Sequence, residues 1–102
     1  MYKNAIHNSL KVWTAWDEDK LVGLGRVVGD DYTIIYIQDI LILEDYQNKG
    51  IGSKLLKIIL EQYKSIRQVV LMTDNTEKTI KFYEKNGMVK TSDYNGVTFM
   101  KG

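Results

Sequence analysis

Asp39-Ile-Leu-Ile-Leu-Glu-Asp-Tyr-Gln-Asn-Lys-Gly-Ile-Gly-Ser-Lys-Leu-Leu56 runs from an apolar strand through a short polar turn directly into an amphipathic helix. The turn is its most informative part. Gln47, Asn48, Lys49, Gly50, Ile51, Gly52 and Ser53 place two glycines where the backbone N–H groups of a helix start still lack acceptors. Those donors, the positive end of the helix dipole, and Lys49 and Lys54 together make a cradle for an anion of the pyrophosphate kind. By spacing alone, a glycine pair at a helix start is also ordinary turn chemistry. The turn lacks the Gly-Lys-Ser/Thr end of a P-loop and the GxGxxG spacing of a dinucleotide fold, which disfavours nucleotide hydrolysis and hydride transfer.

Outward from this stretch, residues 51, 55, 58, 59 and 63 are apolar at helical spacing, and Lys54, Lys57, Glu61 and Lys64 hold the other side. Upstream, residues 11–16 alternate, and Asp17-Glu18-Asp19-Lys20 is a polar turn into Leu21-Val-Gly-Leu-Gly-Arg-Val-Val28, which predicts a β-hairpin. Gly29-Asp30-Asp31 is a second turn. Residues 32–43 then read as a central strand covered on both faces. Downstream, residues 68–73 return as a buried strand, completing a parallel crossover unit. Asp74 or Asn75 is placed to cap a second helix that ends at Gly87, with Glu77 completing a capping box if Asp74 is the cap. Two short alternating runs around Asn95-Gly96 predict a closing hairpin. With a helical fragment over residues 1–10, the expected order is (α)βββαβαββ: one mixed α/β domain spanning residues 1–102.

Composition narrows the function classes. The chain has 102 residues, 44% of them hydrophobic, enough for one core. Fourteen basic residues against thirteen acidic ones give a net charge of +1, without the basic stripe of a nucleic-acid binder or the polybasic patch of a membrane-surface protein. No cysteine is present and His7 is the single histidine, so no thiolate nucleophile, disulfide framework or Cys/His metal site is expected. No apolar run reaches membrane-spanning length and no signal-peptide pattern opens the sequence, so the expectation is a cytoplasmic protein with neither nucleic acid nor membrane as partner.

Gln47-x-x-Gly50-x-Gly52 after an Ile40-Leu41-Ile42 strand resembles the acetyl-coenzyme A signature of the GNAT superfamily of N-acetyltransferases. Phe82-Tyr83-Glu84-Lys85-Asn86-Gly87-Met88 resembles that family's second common segment, in which a helix ends at Gly and its Tyr faces the cofactor sulfur. The two segments stand in the family's order, and the resemblance runs from about residue 13 to the C-terminus.

The resemblance implies an acetyl-CoA N-acyltransferase fold, abbreviated at the N-terminus. It further implies that acetyl-CoA is the donor, that Gln47, Asn48, Lys49, Gly50, Ile51, Gly52 and Ser53 hold its pyrophosphate, and that Ile40, Leu41 and Ile42 belong to a locally splayed strand whose backbone pairs with the pantetheine arm. One N–H there would polarise the acetyl carbonyl in the manner of an oxyanion hole. Asn75 is carried over as a cofactor contact, although it lies one residue earlier than the family's usual Asn. Tyr83 is the residue placed to donate a proton or hydrogen bond to the departing thiolate; without the resemblance it reads as a half-buried aromatic at helical spacing.

An alkylamine acceptor is protonated at neutral pH, so a base or a water chain must take a proton. Asp39, a carboxylate in an apolar strand beside the cofactor segment, is the candidate base; a side chain hydrogen-bonded to a neighbouring turn is its other reading. The resemblance implies a primary amine, of a small molecule, as acceptor and no metal; lacking a Cys or a recognisable triad, the chain is expected to transfer the acetyl group to it directly in a ternary complex. Glu44 stands where many members have Pro. Members also commonly carry a strand and two helices where only about ten residues precede residue 11 here. Apolar sheet surface left in water costs about 25 cal/mol per Å², which favours self-association as a homodimer. The alternative function is a non-catalytic acyl-CoA-binding or regulatory module, and a third reading is an interaction domain that has lost the cofactor.

Overall fold

In the computed structural model, which describes residues 2–102, four strands form one sheet in the order β1-β2-β3-β4. Helix α1 (Tyr2–His7) precedes β1 (Lys11–Asp17), β2 (Lys20–Gly29) and β3 (Ile34–Ile42); α2 (Ile51–Gln62) then crosses to β4 (Gln68–Val70), and α3 (Glu77–Lys85) follows. Two compact units divide the chain, one up to Met72 and one over Thr73–Gly102.

In the first unit, β1, β2 and β3 form an antiparallel meander and β4 joins β3 in parallel. Antiparallel strands can be joined by tight turns, whereas the parallel pair needs a crossover, which α2 supplies. The core is Val22, Val27, Ile35, Ile37, Leu55, Leu56, Ile59 and Tyr63. Helix α2 sits close against β2 because glycines face it. A Cβ on Gly25 would come within 3.1 Å of Ile59 Cδ1, and one on Gly23 within 3.4 Å of Ile51 Cγ2. Its buried face is rotated from the expected one: Leu56 is fully buried, while Ile58 is 42% exposed. Trp13 closes the C-terminal end of α2 edge-on against Tyr63, with ring centroids 6.1 Å apart.

The β2–β3 turn is built on Asp30, whose carboxylate accepts the Thr33 hydroxyl at 2.6 Å and the backbone N–H groups of Thr33, Tyr32 and Ile34 at 2.7, 2.9 and 3.1 Å. The Thr33 hydroxyl first, then those N–H groups, hold the Asp30 carboxyl well below the usual carboxylate range. The folded chain therefore binds this proton at lower pH than the unfolded chain. The contribution is present above the unfolded value and is lost as pH falls. Asp30→Asn should make the thermal midpoint fall less steeply than in the wild type between about pH 5 and pH 2, as followed by circular dichroism melts. Parallel profiles would remove Asp30 from the acid response.

In the second unit, the cap of α3 is Thr76 and not Asp74 or Asn75: its side chain accepts the Thr79 N–H at 3.3 Å. Gly87, with φ at +92°, ends the helix as expected. The expected closing hairpin is replaced by a 3-10 turn over Thr91–Tyr94, and among the described residues the order is αβββαβα. Asn95 does adopt the left-handed conformation its Asn-Gly sequence favours, φ 63°. It serves to close the 3-10 turn, with the Gly96 N–H returning to Thr91 O at 2.8 Å, in the way a helix C-cap closes. Residues 97–101 carry no strand pairing, and Phe99 is 89% exposed.

Candidate functional site

A β-bulge in β3 determines how the first unit presents its backbone. Arg26 pairs with Asp39 and Val27 with Ile37, leaving Gln38 as an extra residue on β3. The extra residue reverses the alternation of side chains. Ile35 and Ile37 are buried before the bulge, and after it Ile40 lies opposite Gly25 and Ile42 against Gly23, the glycines that face α2. The ladder to β4 stops at Tyr36 and Val70, so no strand pairs with residues 37–42 on that side among the described residues.

Strand alternation shows which backbone groups this edge offers. The Leu43 N–H donates to Val22 O at 2.9 Å, toward β2. The N–H and C=O groups of Leu41 then also point to β2, and those of Ile40 and Ile42 point away from it, along the unpaired edge. The side chain of Leu41 is 51% exposed.

Beyond β3, a 3-10 turn over Glu44–Tyr46 delivers the chain to the glycine turn. Gln47 Nε2 donates to Ile42 O at 3.1 Å, fastening the turn to the strand end. Asn48 and Gly50 both have positive φ, at 63° and 83°. Gly50 is the N-cap of α2 and no side chain caps it. A Cβ on Gly50 would meet nothing within 4 Å, so the helix start opens on free space. The N–H groups of Ile51 and Gly52, in the first turn of α2, have no acceptor within the helix. Lys49 Nζ lies 5.4 Å from the Tyr46 ring centroid, and Lys20 Nζ lies 5.5 Å from it. The Tyr46 hydroxyl donates to Asp17 Oδ2 at 2.6 Å, tying the β1–β2 turn to this segment, and the Asp17 carboxylate pushes the Tyr46 phenol up.

Asp39 lies on β3 directly after the bulge and is paired. Arg26 Nε donates to Asp39 Oδ2 at 2.8 Å, with side-chain exposures of 10% and 20%. Arg26 Nη1 also donates to Ala5 O at 3.3 Å and to Ser9 Oγ at 3.2 Å, at the end of α1. Sequence reading singled out Asp39 and missed its partner. The available signal was an arginine alone in the apolar run of β2, because a guanidinium in such a strand needs a carboxylate opposite.

In the second unit, Tyr83 lies on α3 and is half-buried, and burial pushes its phenol up. Its ring stands edge-on to Phe82 with centroids 5.0 Å apart. The helix end beneath it is closed by Met88 N–H to Tyr83 O at 3.1 Å and Asn86 Nδ2 to Phe82 O at 2.7 Å. Asn75 is exposed, in the segment leading to the Thr76 cap.

A strand with an unpaired edge, then a left-handed glycine at an uncapped helix start, leaves backbone donors that can hold an extended arm and an anionic group. The family model described as "Acetyltransferase (GNAT) domain" matches residues 8–89. The chain belongs to the GNAT acetyltransferase family. Among curated relatives, an uncharacterized ycf52-like N-acetyltransferase of Prochlorococcus marinus is 34% identical over 91 residues, 83% of this chain and 49% of the relative. The chain thus spans about half the length of that relative. Among solved structures, the GNAT family protein SP0256 of Streptococcus pneumoniae is 38% identical with a TM-score of 0.94, over 98% of this chain and 76% of that one. A GNAT family acetyltransferase of Elizabethkingia anophelis, solved with acetyl-CoA bound, is 25% identical with a TM-score of 0.72, over 84% of this chain and 58% of that one. Among the described residues of this GNAT chain, no group of three or more His, Cys, Asp or Glu could hold a metal, and no helix is long and apolar enough to cross a membrane.

Proposed function

We propose that this chain is an N-acetyltransferase that moves the acetyl group of acetyl-CoA to the primary amine of a small molecule, by direct transfer in a ternary complex. The observation that carries the reading is Gly50: a left-handed residue at an uncapped helix start, with free space where a side chain would stand. The acetyl-CoA held by a related structure supports the same reading.

Gln47, Asn48, Lys49, Gly50, Ile51, Gly52 and Ser53 would hold the pyrophosphate, with Ile51 and Gly52 N–H groups and the dipole of α2 as donors. Ile40 and Ile42 would pair with the pantetheine arm along the unpaired edge, and one of their N–H groups would meet the acetyl oxygen as charge grows there. Leu41 contributes its exposed side chain to the same segment, and Asn75 is retained as a further cofactor contact. In the transfer, the acceptor nitrogen bonds to the acetyl carbon, the C–S bond breaks and its electron pair goes to sulfur. Tyr83 then supplies a proton or hydrogen bond to that sulfur. Burial raises the phenol, so it stays protonated at neutral pH and keeps a hydrogen to offer that sulfur. The acceptor ammonium must also lose a proton. Asp39 Oδ2 already accepts from Arg26, so we assign that step to water leading to solvent.

The same Arg26–Asp39 pairing favours a second reading, a non-catalytic acyl-CoA-binding module, since it engages the carboxylate best placed as a base. Calorimetric titration with acetyl-CoA, run beside an amine panel assayed for free thiol, separates the two. Saturable binding with amine-dependent thiol release is expected. Binding without turnover on any amine would assign the module, and absence of binding would overturn both.

A further inference from the structure

We infer that Arg26 is a positioning residue that locks the register of the β3 bulge, through Asp39, so that the Ile40 and Ile42 N–H groups face the acyl donor. The inference rests on the proposed acetyl transfer and adds to it a residue outside the cofactor turn and α3.

Arg26 is 8% exposed, the one charged residue in the buried core of the described chain. Its guanidinium spans three elements: Nε donates to Asp39 on β3, and Nη1 donates to Ala5 O and Ser9 Oγ at the end of α1. Ser9 Oγ in turn donates to Ala5 O at 2.9 Å. The Leu10 N–H bonds to Val27 O at 3.0 Å, anchoring this corner one residue from Arg26.

Apolar packing alone defines the register poorly here. Residues 40–43 are Ile-Leu-Ile-Leu, four aliphatic side chains in succession, and a slip by one residue would exchange one aliphatic side chain for another on each face. The polar pair discriminates where the aliphatics do not. Sliding β3 by one position would bring Gln38 or Ile40 opposite Arg26 and leave a guanidinium and a carboxylate apart in a nearly water-free place. The slip would also reverse the backbone, turning the Ile40 and Ile42 N–H groups into β2 and presenting those of Asp39 and Leu41 along the open edge. A buried ion pair beside an extra residue thus decides which amides the strand offers, one and three residues along the chain from Asp39. The guanidinium fork suits this use better than an ammonium would, since it serves β3 and α1 at once in fixed directions.

The test uses the double variant Arg26→Met/Asp39→Leu, which removes both charges together and keeps the volume apolar, a replacement that buried pairs commonly tolerate. Acetyl-CoA affinity is measured by calorimetry, kcat and KM with the accepted amine by thiol release, and amide positions by NMR. The expected result is kcat lowered by about tenfold or more with acetyl-CoA affinity changed by less than about threefold, because no residue of the glycine turn is replaced and the amides of residues 39 and 41 would still offer the pantetheine arm an edge. The resonances of Ile40 and Ile42 should shift while those of α2 stay. The conservative Asp39→Asn, which keeps an acceptor for Arg26 Nε, should recover part of kcat. A kcat within about twofold of wild type, or a loss confined to affinity, overturns the inference and leaves the pair a packing feature. If the double variant does not fold, Arg26→Lys, which keeps the charge and Asp39 but loses the fork, decides by the same split: kcat lowered at constant affinity with shifted Ile40 and Ile42 amides supports the inference, and wild-type kcat overturns it. Should the wild type prove not to bind acetyl-CoA, the proposed transfer fails on that result alone. The register lock is then judged by the amides, displaced Ile40 and Ile42 upholding it and unmoved ones overturning it.

Discussion

Tyr83→Phe is expected to lower kcat about 10²–10⁴-fold, the span of a lost general acid, or roughly 2.7–5.4 kcal/mol of barrier. The substitution removes one hydroxyl and keeps the ring that stands edge-on to Phe82, and the backbone bond from Met88 N–H to Tyr83 O does not depend on the side chain. Acetyl-CoA affinity and the thermal midpoint should therefore stay near wild type, which distinguishes lost chemistry from lost structure. A pH profile adds a second readout. Burial raises the phenol above its ordinary value of about 10, so the proton is held more tightly in the fold than in water. Deprotonation of Tyr83 should reduce the wild-type rate only above that value, and the variant should lack this alkaline limb. A kcat within about twofold of wild type would return Tyr83 to the role of a packing aromatic.

The contrast between Tyr83 and Asp39 shows what a sequence carries. Tyr83 precedes a Gly that ends its helix, and both its placement on α3 and the stop at Gly87 follow from local residue chemistry. The glycine turn is legible for the same reason: Gly50 adopts φ 83° at the start of α2, as its position before a helical pattern implies. Asp39 is set by a partner thirteen residues away across a hairpin whose register depends on one extra residue, Gln38. No local pattern marks that residue. The same limit explains Ile58 and Leu56. Helical spacing allows either at the edge of an apolar stripe, and the glycines of a different element, β2, decide which one the sheet receives. The closing hairpin failed in a third way. Asn95-Gly96 does specify a left-handed residue, but such a residue also caps a 3-10 turn, and the choice depends on what flanks it.

Gly50→Val should weaken acetyl-CoA binding about a hundredfold, near 2.8 kcal/mol, by two effects that can be told apart. The first is conformational. Gly50 sits at φ 83°, where a β-branched residue costs roughly 1–3 kcal/mol, and relieving that strain would unwind the first turn of α2 and disperse the N–H groups of Ile51 and Gly52. The second is steric exclusion of the ligand. In the free protein a Cβ at this position meets nothing within 4 Å, so no neighbour opposes a side chain sterically until an anion must occupy that space. A donor without the nucleotide, acetylpantetheine, separates cradle from strand. It would use the Ile40 and Ile42 edge and not the helix start, so its weak transfer should be unchanged in the variant while acetyl-CoA loses its advantage over it. Gly50→Ala, which carries the strained φ with a single methyl group, should fall between Val and wild type. Unaltered acetyl-CoA affinity in Gly50→Val would show that the helix start does not hold the anion. Affinity would then have to come from the strand edge alone, where acetylpantetheine and acetyl-CoA should bind alike.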